Sequence, residues 1–179
     1  MEIMLPAAKL RSVHIQDAIP LARHANNRKI WLNVRDHFPH PYTSLDSREW
    51  IEQIKKMNPE THFVIDIDDQ ACGAIGLELK DDIYHCSAEL GYWLGEEFWD
   101  RGIMTSAVQA ICSWAFQNLR IHRIQAEVFE WNPASMRVLE KSGFMHEGIL
   151  HKAAVKNHQI IDLHIFARLK ESGEVQNHE

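Results

Sequence analysis

The stretch EEFWDRGIMTSAVQAICSWAF, Glu96 to Phe116, runs a small-residue step, Arg101-Gly102-Ile103-Met104-Thr105, straight into an amphipathic helix. From Val108 the apolar side chains recur at Ile111, Cys112, Ala115, Phe116 and Leu119, the spacing of a helix with one buried face. The helix therefore starts at about Thr105, almost where the glycine ends. A helix start leaves backbone N–H groups without intrahelical partners at the positive end of the helix dipole, and a neighbouring glycine lets a ligand come close to the backbone. Such a step suits an anion, above all a phosphate. Taken alone it also reads as a simple turn before a helix. Neither G-x-x-x-x-G-K-[ST] nor G-x-G-x-x-G occurs, so the flanking sequence has to decide.

Upstream, His62–Ile67, Cys72–Leu79 and His85–Leu94 have strand character and are joined by short turns, as in an antiparallel meander. In the last of them Ala88, Leu90, Tyr92 and Leu94 point one way, and Glu89, Gly91 and Trp93 the other. Downstream, Arg123–Val128 reads as a strand. Asn132-Pro133 then opens a helix, with Asn132 as N-cap and Pro133 in the first helical position, and Gly143 ends it. Two closing strands lie around Phe144–His151 and Ile160–Leu169. Nearer the start, Leu10–His14 reads as a strand and Asp17–Ala25 as a helix. The segment NNRKIWLNVRDHFPHPYT is loop-rich, since Pro39 and Pro41 disfavour regular structure. Thr43 with Asp46 forms a capping box for a helix whose Leu45, Trp50, Ile51, Ile54 and Met57 share a face. The order is α+β: a mixed, mostly antiparallel central sheet of about seven strands, flanked by about four helices.

The 179 residues suffice for one substantial core, and no linker or repeat divides them. A single domain over 1–179 is expected, with about 171–179 as a frayed tail. With 45% apolar and 25% charged residues, no long apolar run and no signal-peptide pattern, the chain reads as cytoplasmic and not membrane-bound. Its net charge of −6 argues against a nucleic-acid binder and suits an amine substrate. Cys72, Cys86 and Cys112 lack C-x-x-C spacing and read as core thiols. His37-x-x-His40 has no H-E-x-x-H context or cysteine partner, so no metal is expected.

Four segments in this order, AELGYWL, FWDRGIMTSAV, RIQAEVFE and WNPASMRVLEKSGFMHEGIL, resemble the GNAT N-acetyltransferase superfamily, and more narrowly its RimJ/RimL-like branch, whose named members acetylate N-terminal amines of ribosomal proteins. The resemblance covers essentially the whole chain. It implies a sheet splayed in the middle and acetyl-CoA as co-substrate. It makes Arg101, Gly102, Ile103, Met104 and Thr105 the pyrophosphate loop, although Trp99 and Met104 depart from the pattern Q/R-x-x-G-x-G/A. It also places Trp93 and Leu94 against the acetyl group, with the Leu94 N–H polarising the thioester carbonyl. Asn132 would hold the pantetheine arm.

Acetyl transfer needs a neutral amine, an oxyanion stabilised by donors and a proton for the departing thiolate. The family's usual acid, a tyrosine seven residues beyond the Asn, is replaced by Leu139, so the resemblance gives the proton to Ser135. A glutamate used as base by some branch members aligns with Ala154, leaving Glu89 as candidate base or, equally, as an ion-pair partner of a nearby Arg or Lys. Asp36, His37, His40 and Tyr42 fall in the region that borders the acceptor. The expected partner is an amine, either a protein N-terminus or a small molecule, with the enzyme a monomer or homodimer. The alternatives are a non-catalytic acyl-CoA-binding module and double displacement through a cysteine.

Overall fold

The computed structural model describes residues 2–171. Strand alternation divides the apolar residues of β3 (His62–Ile67) and β4 (Gln70–Leu79) between two cores. Phe63, Ile65, Ile75 and Leu77 face the larger core, while Val64 and Ala71 face the smaller. The larger is closed by α4 (Ile103–Asn118), which presents Ala107, Val108, Ile111, Cys112, Ala115 and Phe116. The smaller is closed by α1 (Ala18–Ala25) and α3 (Ser44–Ile54) through Ala18, Leu21, Ile51 and Ile54. Both faces of the sheet are therefore covered, which is why its central strands are apolar on both sides.

The sheet also contains β1 (Glu2–Leu5), β2 (Ala8–Arg11), β5 (Ser87–Leu94), β6 (Arg123–Phe129), β7 (Met145–Lys156) and β8 (Gln159–Leu169). Its eight strands run in the order β1-β2-β3-β4-β5-β6-β8-β7. Only β5 and β6 are parallel. A parallel neighbour requires a crossover, and α4 is that crossover. A single turn, α2 (Arg28–Trp31), and α5 (Pro133–Lys141) complete the helices.

The expected α+β architecture is present, with corrections at its margins. Among the described residues there are eight strands and five helices, because β1 pairs with β2 along Glu2–Leu5 and Asn27 caps the short α2 within the loop-rich segment. The helix after the small-residue step begins at Ile103. Thr43 and Asp46 cap α3 reciprocally as expected, but Leu45 and Met57 are 63% and 40% exposed. The helix ends at Ile54 and packs through Ser47, Trp50, Ile51 and Ile54, so that of the expected face only Leu45 and Met57 fall outside the packing. β7 runs to Lys156, past the expected His151, across a register shift after Leu150. Cys86 is half-buried, whereas Cys72 and Cys112 are core thiols. Of the tail expected to fray, about 171–179, residues 172–179 lie outside the described residues. Among those described, no helix is long and apolar enough to cross a membrane.

Candidate active site

Pairing between β5 and β6 joins only Ser87–Glu89 to Arg123–Gln125. Beyond it β5 continues on β4 to Leu94 and β6 continues on β8 to Phe129, so the strands part and a wedge opens in the sheet. Lys80 N–H donates to Ser87 O (3.0 Å) and Gly95 N–H to Cys72 O (2.8 Å), which turns these backbone groups toward β4. Alternation along the strand then turns the N–H and C=O of Leu90, Tyr92 and Leu94 toward the wedge. The Leu94 carbonyl accepts from Trp99 Nε1 at 2.7 Å. Its N–H remains as a donor directed into the opening. Trp99, a departure from the family pattern, thereby ties the loop before α4 to the end of β5.

Gly102 is the N-cap of α4 at φ +74°, and no side chain caps the helix. The first intrahelical bond runs from Ser106 N–H to Gly102 O (3.1 Å), leaving the N–H groups of Ile103, Met104 and Thr105 without a protein acceptor among the described residues. A Cβ at Gly102 would meet nothing within 4 Å, so the space before these donors is open. The Arg101 guanidinium lies over the Phe98 ring at 5.5 Å. This arrangement fits a diphosphate: uncapped donors, the positive end of a sixteen-residue helix and a clear approach.

On the other side of the wedge, Asn132 Oδ1 accepts from Ser135 N–H at 3.1 Å, which is its N-cap role. Ser135 Oγ lies 2.8 Å from the Tyr92 hydroxyl. Burial raises the Tyr92 pKa, and the bond to Ser135 offsets only part of that rise, so the phenol keeps its proton. Leu139, where the family places its tyrosine, is fully buried in the core. Tyr92 brings a phenol to the same helix from the strand instead. The sequence reading left Tyr92 without a role, although a tyrosine among core-facing residues signals a hydroxyl in need of a partner.

The opposite face of the wedge carries Glu89 and Glu127. Glu89 is ion-paired with Arg35 and, at 2.6 Å, with Lys80; Arg35 also reaches Glu127 at 3.0 Å. Burial works against the Arg35 charge, but the two glutamates outweigh it and raise the guanidinium's pKa. Of the two readings of Glu89, the ion pair is the one the geometry displays. The Trp93 ring packs edge-on against Phe38 (5.8 Å), which in turn meets Tyr42 (4.5 Å). Trp93 therefore turns its ring to the face that carries Glu89 and, by alternation, its backbone to β4. Tyr42 is only 8% exposed and sits inside this aromatic cluster. Asp36 holds the buried Lys156 at 2.6 Å, Lys156 lies over Trp31, and His40 stacks on the same ring. His37 is exposed. Arg35, Lys80, Glu127 and Lys156 carried no sequence signal, because ion pairs between distant segments leave no local pattern.

Among the described residues no three His, Cys, Asp or Glu side chains gather to hold a metal. Burial pushes the Cys72 thiol up to about 11 and Cys112 up to about 12, which keeps both protonated and poorly nucleophilic.

The sequence profile of the acetyltransferase (GNAT) domain matches residues 8–145. The chain belongs to the GNAT acetyltransferase family. Among GNAT relatives, an uncharacterized N-acetyltransferase p20 of Bacillus licheniformis is 27% identical over 169 residues, 90% of this chain and 92% of that protein. The ribosomal-protein-serine acetyltransferase of Escherichia coli (strain K12) is also 27% identical, over 92% of this chain and 93% of its own. The fold superposes on RimL, a ribosomal L7/L12 alpha-N-protein acetyltransferase solved in complex with coenzyme A, with a TM-score of 0.83 at 20% identity, covering 94% and 98% of the two chains. The RimJ/RimL-like resemblance read from the four segments is thus borne out, and the protein is an acetyl-CoA-dependent N-acetyltransferase of the GNAT family.

Proposed function

We propose that the protein moves the acetyl group of acetyl-CoA to a primary amine, at a protein N-terminus or on a small molecule, by direct attack of the amine within a ternary complex. The observation that carries this reading is the Tyr92–Ser135 hydroxyl pair beside a wedge whose β5 edge offers the Leu94 N–H. Bound acetyl-CoA supplies the activated acetyl thioester. The N–H groups of Ile103, Met104 and Thr105 would hold its diphosphate, with Arg101 and Gly102 beside them, and Asn132 would use its amide hydrogens on the pantetheine arm. Leu94 N–H polarises the carbonyl, and Ser135, backed by the Tyr92 proton, protonates the thiolate as it leaves.

Glu89 belongs to the acceptor side of this arrangement. Both of its carboxylate oxygens are engaged, one by Arg35 and the other by Lys80. The reaction then rests on placing a neutral amine against a polarised thioester. The names of relatives such as the ribosomal-protein-serine acetyltransferase support an amine acceptor of this kind.

Two measurements test the reading. Coenzyme A binding only the folded protein stabilises it by about 2.7 kcal/mol at a hundredfold excess over Kd. The melting temperature should therefore rise, and no rise at millimolar coenzyme A overturns the proposal. Mass spectrometry of a panel of amines incubated with acetyl-CoA should show acetylated amines. Binding without any acetylated amine would mark a non-catalytic binding module, and a stable acetyl-protein adduct would mark double displacement.

A further inference from the structure

Glu89 and Glu127 stand on adjacent strands where those strands part, and they share a face. Ile124, Ala126 and Val128 of β6 enter the core beneath α4, so Glu127 projects to the opposite side, as Glu89 does from β5. Their side chains are only 12% and 26% exposed. Two half-sequestered carboxylates at the mouth of a cleft would draw in any ammonium group. They are already taken. Arg35, brought by the loop between α2 and α3, spans both, and Lys80 holds the second Glu89 oxygen, so two negative and two positive charges close on one another. The planar guanidinium suits this bridging, because its fork offers several donors in fixed directions.

Toward β4 the cluster is flanked by the His62–Glu78 pair, and along β5 toward the wedge the surface is apolar. Gly91 lies between Glu89 and Trp93 on the same strand face, is exposed, and would place a Cβ into space with nothing within 4 Å. It forms an open floor. Trp93 and Phe38 bound it on one side, and Phe129 with Trp131 forms a second aromatic pair from the end of β6. An acceptor approaching the wedge along this face therefore meets aromatic rings and an ion cluster in which Arg35 and Lys80 balance Glu89 and Glu127, while Glu78, across from Glu89 on β4, is held by His62 at 3.1 Å. A second ammonium on that acceptor could pair with Glu89 or Glu127 only by expelling Arg35, which exchanges one ion pair for another and leaves the displaced guanidinium without its partners.

We propose that Arg35 sets the acceptor class: by holding Glu89 and Glu127 it reserves the cleft for amines flanked by a neutral apolar body and disfavours acceptors with a second cation near the reacting amine. The proposal rests on the acetyl-transfer reading above and names the acceptor chemistry of that same site. Arg35 acts here on selectivity, through charge placement, and touches no reacting atom.

The test compares hexylamine with 1,5-diaminopentane, which are close in length and differ in the second charge. In wild type, kcat/KM for hexylamine should exceed that for the diamine at least tenfold. Arg35→Gln frees a carboxylate and should move the ratio toward the diamine by tenfold or more, mainly through KM, with the effect shrinking at high salt. Adding Glu127→Gln to Arg35→Gln should return the ratio toward wild type, which a purely structural role for Arg35 would not do. Dissociation constants of the two amines, measured calorimetrically on protein saturated with unreactive coenzyme A, should follow the same order. A wild-type preference for the diamine, or a ratio that Arg35→Gln leaves unchanged in both measurements, overturns the proposal. The thermal shift with coenzyme A separates the two levels: no shift removes the acetyl-transfer reading and this inference with it, whereas a normal shift with an unchanged ratio removes the inference alone.

Discussion

Tyr92 sits in a strand whose neighbours on the same face, Ala88, Leu90 and Leu94, are all buried, and its hydroxyl finds the Ser135 side chain at 2.8 Å. Two hydroxyls in contact form a relay only if both belong to one proton path. Ser135→Ala should lower kcat on the order of 10 to 1,000-fold with little change in the Kd of coenzyme A. Tyr92→Phe should do the same to a lesser degree. If the two act as a unit, the double variant should be no slower than Ser135→Ala alone, since effects within one unit do not add. Multiplicative losses in stopped-flow single-turnover rates would show two separate roles. Ser135 was legible as a candidate from the Asn-x-x-Ser spacing. Its partner was not, because 43 residues separate Tyr92 from Ser135 and only the tertiary fold brings them together.

At the scale of elements, the start of α4 combines two constraints on one residue. Gly102 at φ +74° occupies a left-handed conformation that costs a β-branched residue roughly 1–2 kcal/mol, and the open space before it is where the coenzyme's diphosphate would lie. Gly102→Val should therefore lose about 1–2 kcal/mol of stability by urea denaturation and also weaken coenzyme A binding tenfold or more. Gly102→Asn separates the two effects. Asparagine tolerates the left-handed region, so stability should stay near wild type while binding still weakens. Unchanged calorimetric affinity in both variants would make the step a turn and nothing more. This element was the most legible part of the chain, because helix periodicity, a glycine and an uncapped start are all local features. The edges of the sheet were less so: β1 is four residues long, and β7 is exposed along most of its length, so neither carries the alternation that marks a half-buried strand.

At the scale of the whole molecule, stability should depend on pH through the buried His24 and the half-buried His62, at separate places in the fold. Burial lowers the pKa of His24 below 6.5, with Glu97 opposing, and lowers that of His62 likewise, with Glu78 opposing. The unfolded chain then takes up protons first as the pH drops. The stabilisation is full above about 6.5 and is lost as the pH falls below it. The melting temperature should decline from pH 7 to pH 5 in scanning calorimetry, and His24→Asn should flatten that decline. A flat wild-type profile over this range would contradict the assignment.

The sequence by itself determined most strands of the central sheet, the helix that crosses it, the N-caps at Thr43 and Asn132, and the glycine step that opens the crossing helix. Each of these follows from periodicity or from backbone chemistry within a few residues, which a linear reading captures. Tertiary structure alone decided where β5 and β6 part, that Tyr92 faces Ser135, that Trp99 anchors Leu94, and that Arg35 closes on Glu89 and Glu127. These contacts join residues from separate elements. Their positions depend on sheet order and packing angle, which the chain acquires only when the two cores close on the sheet.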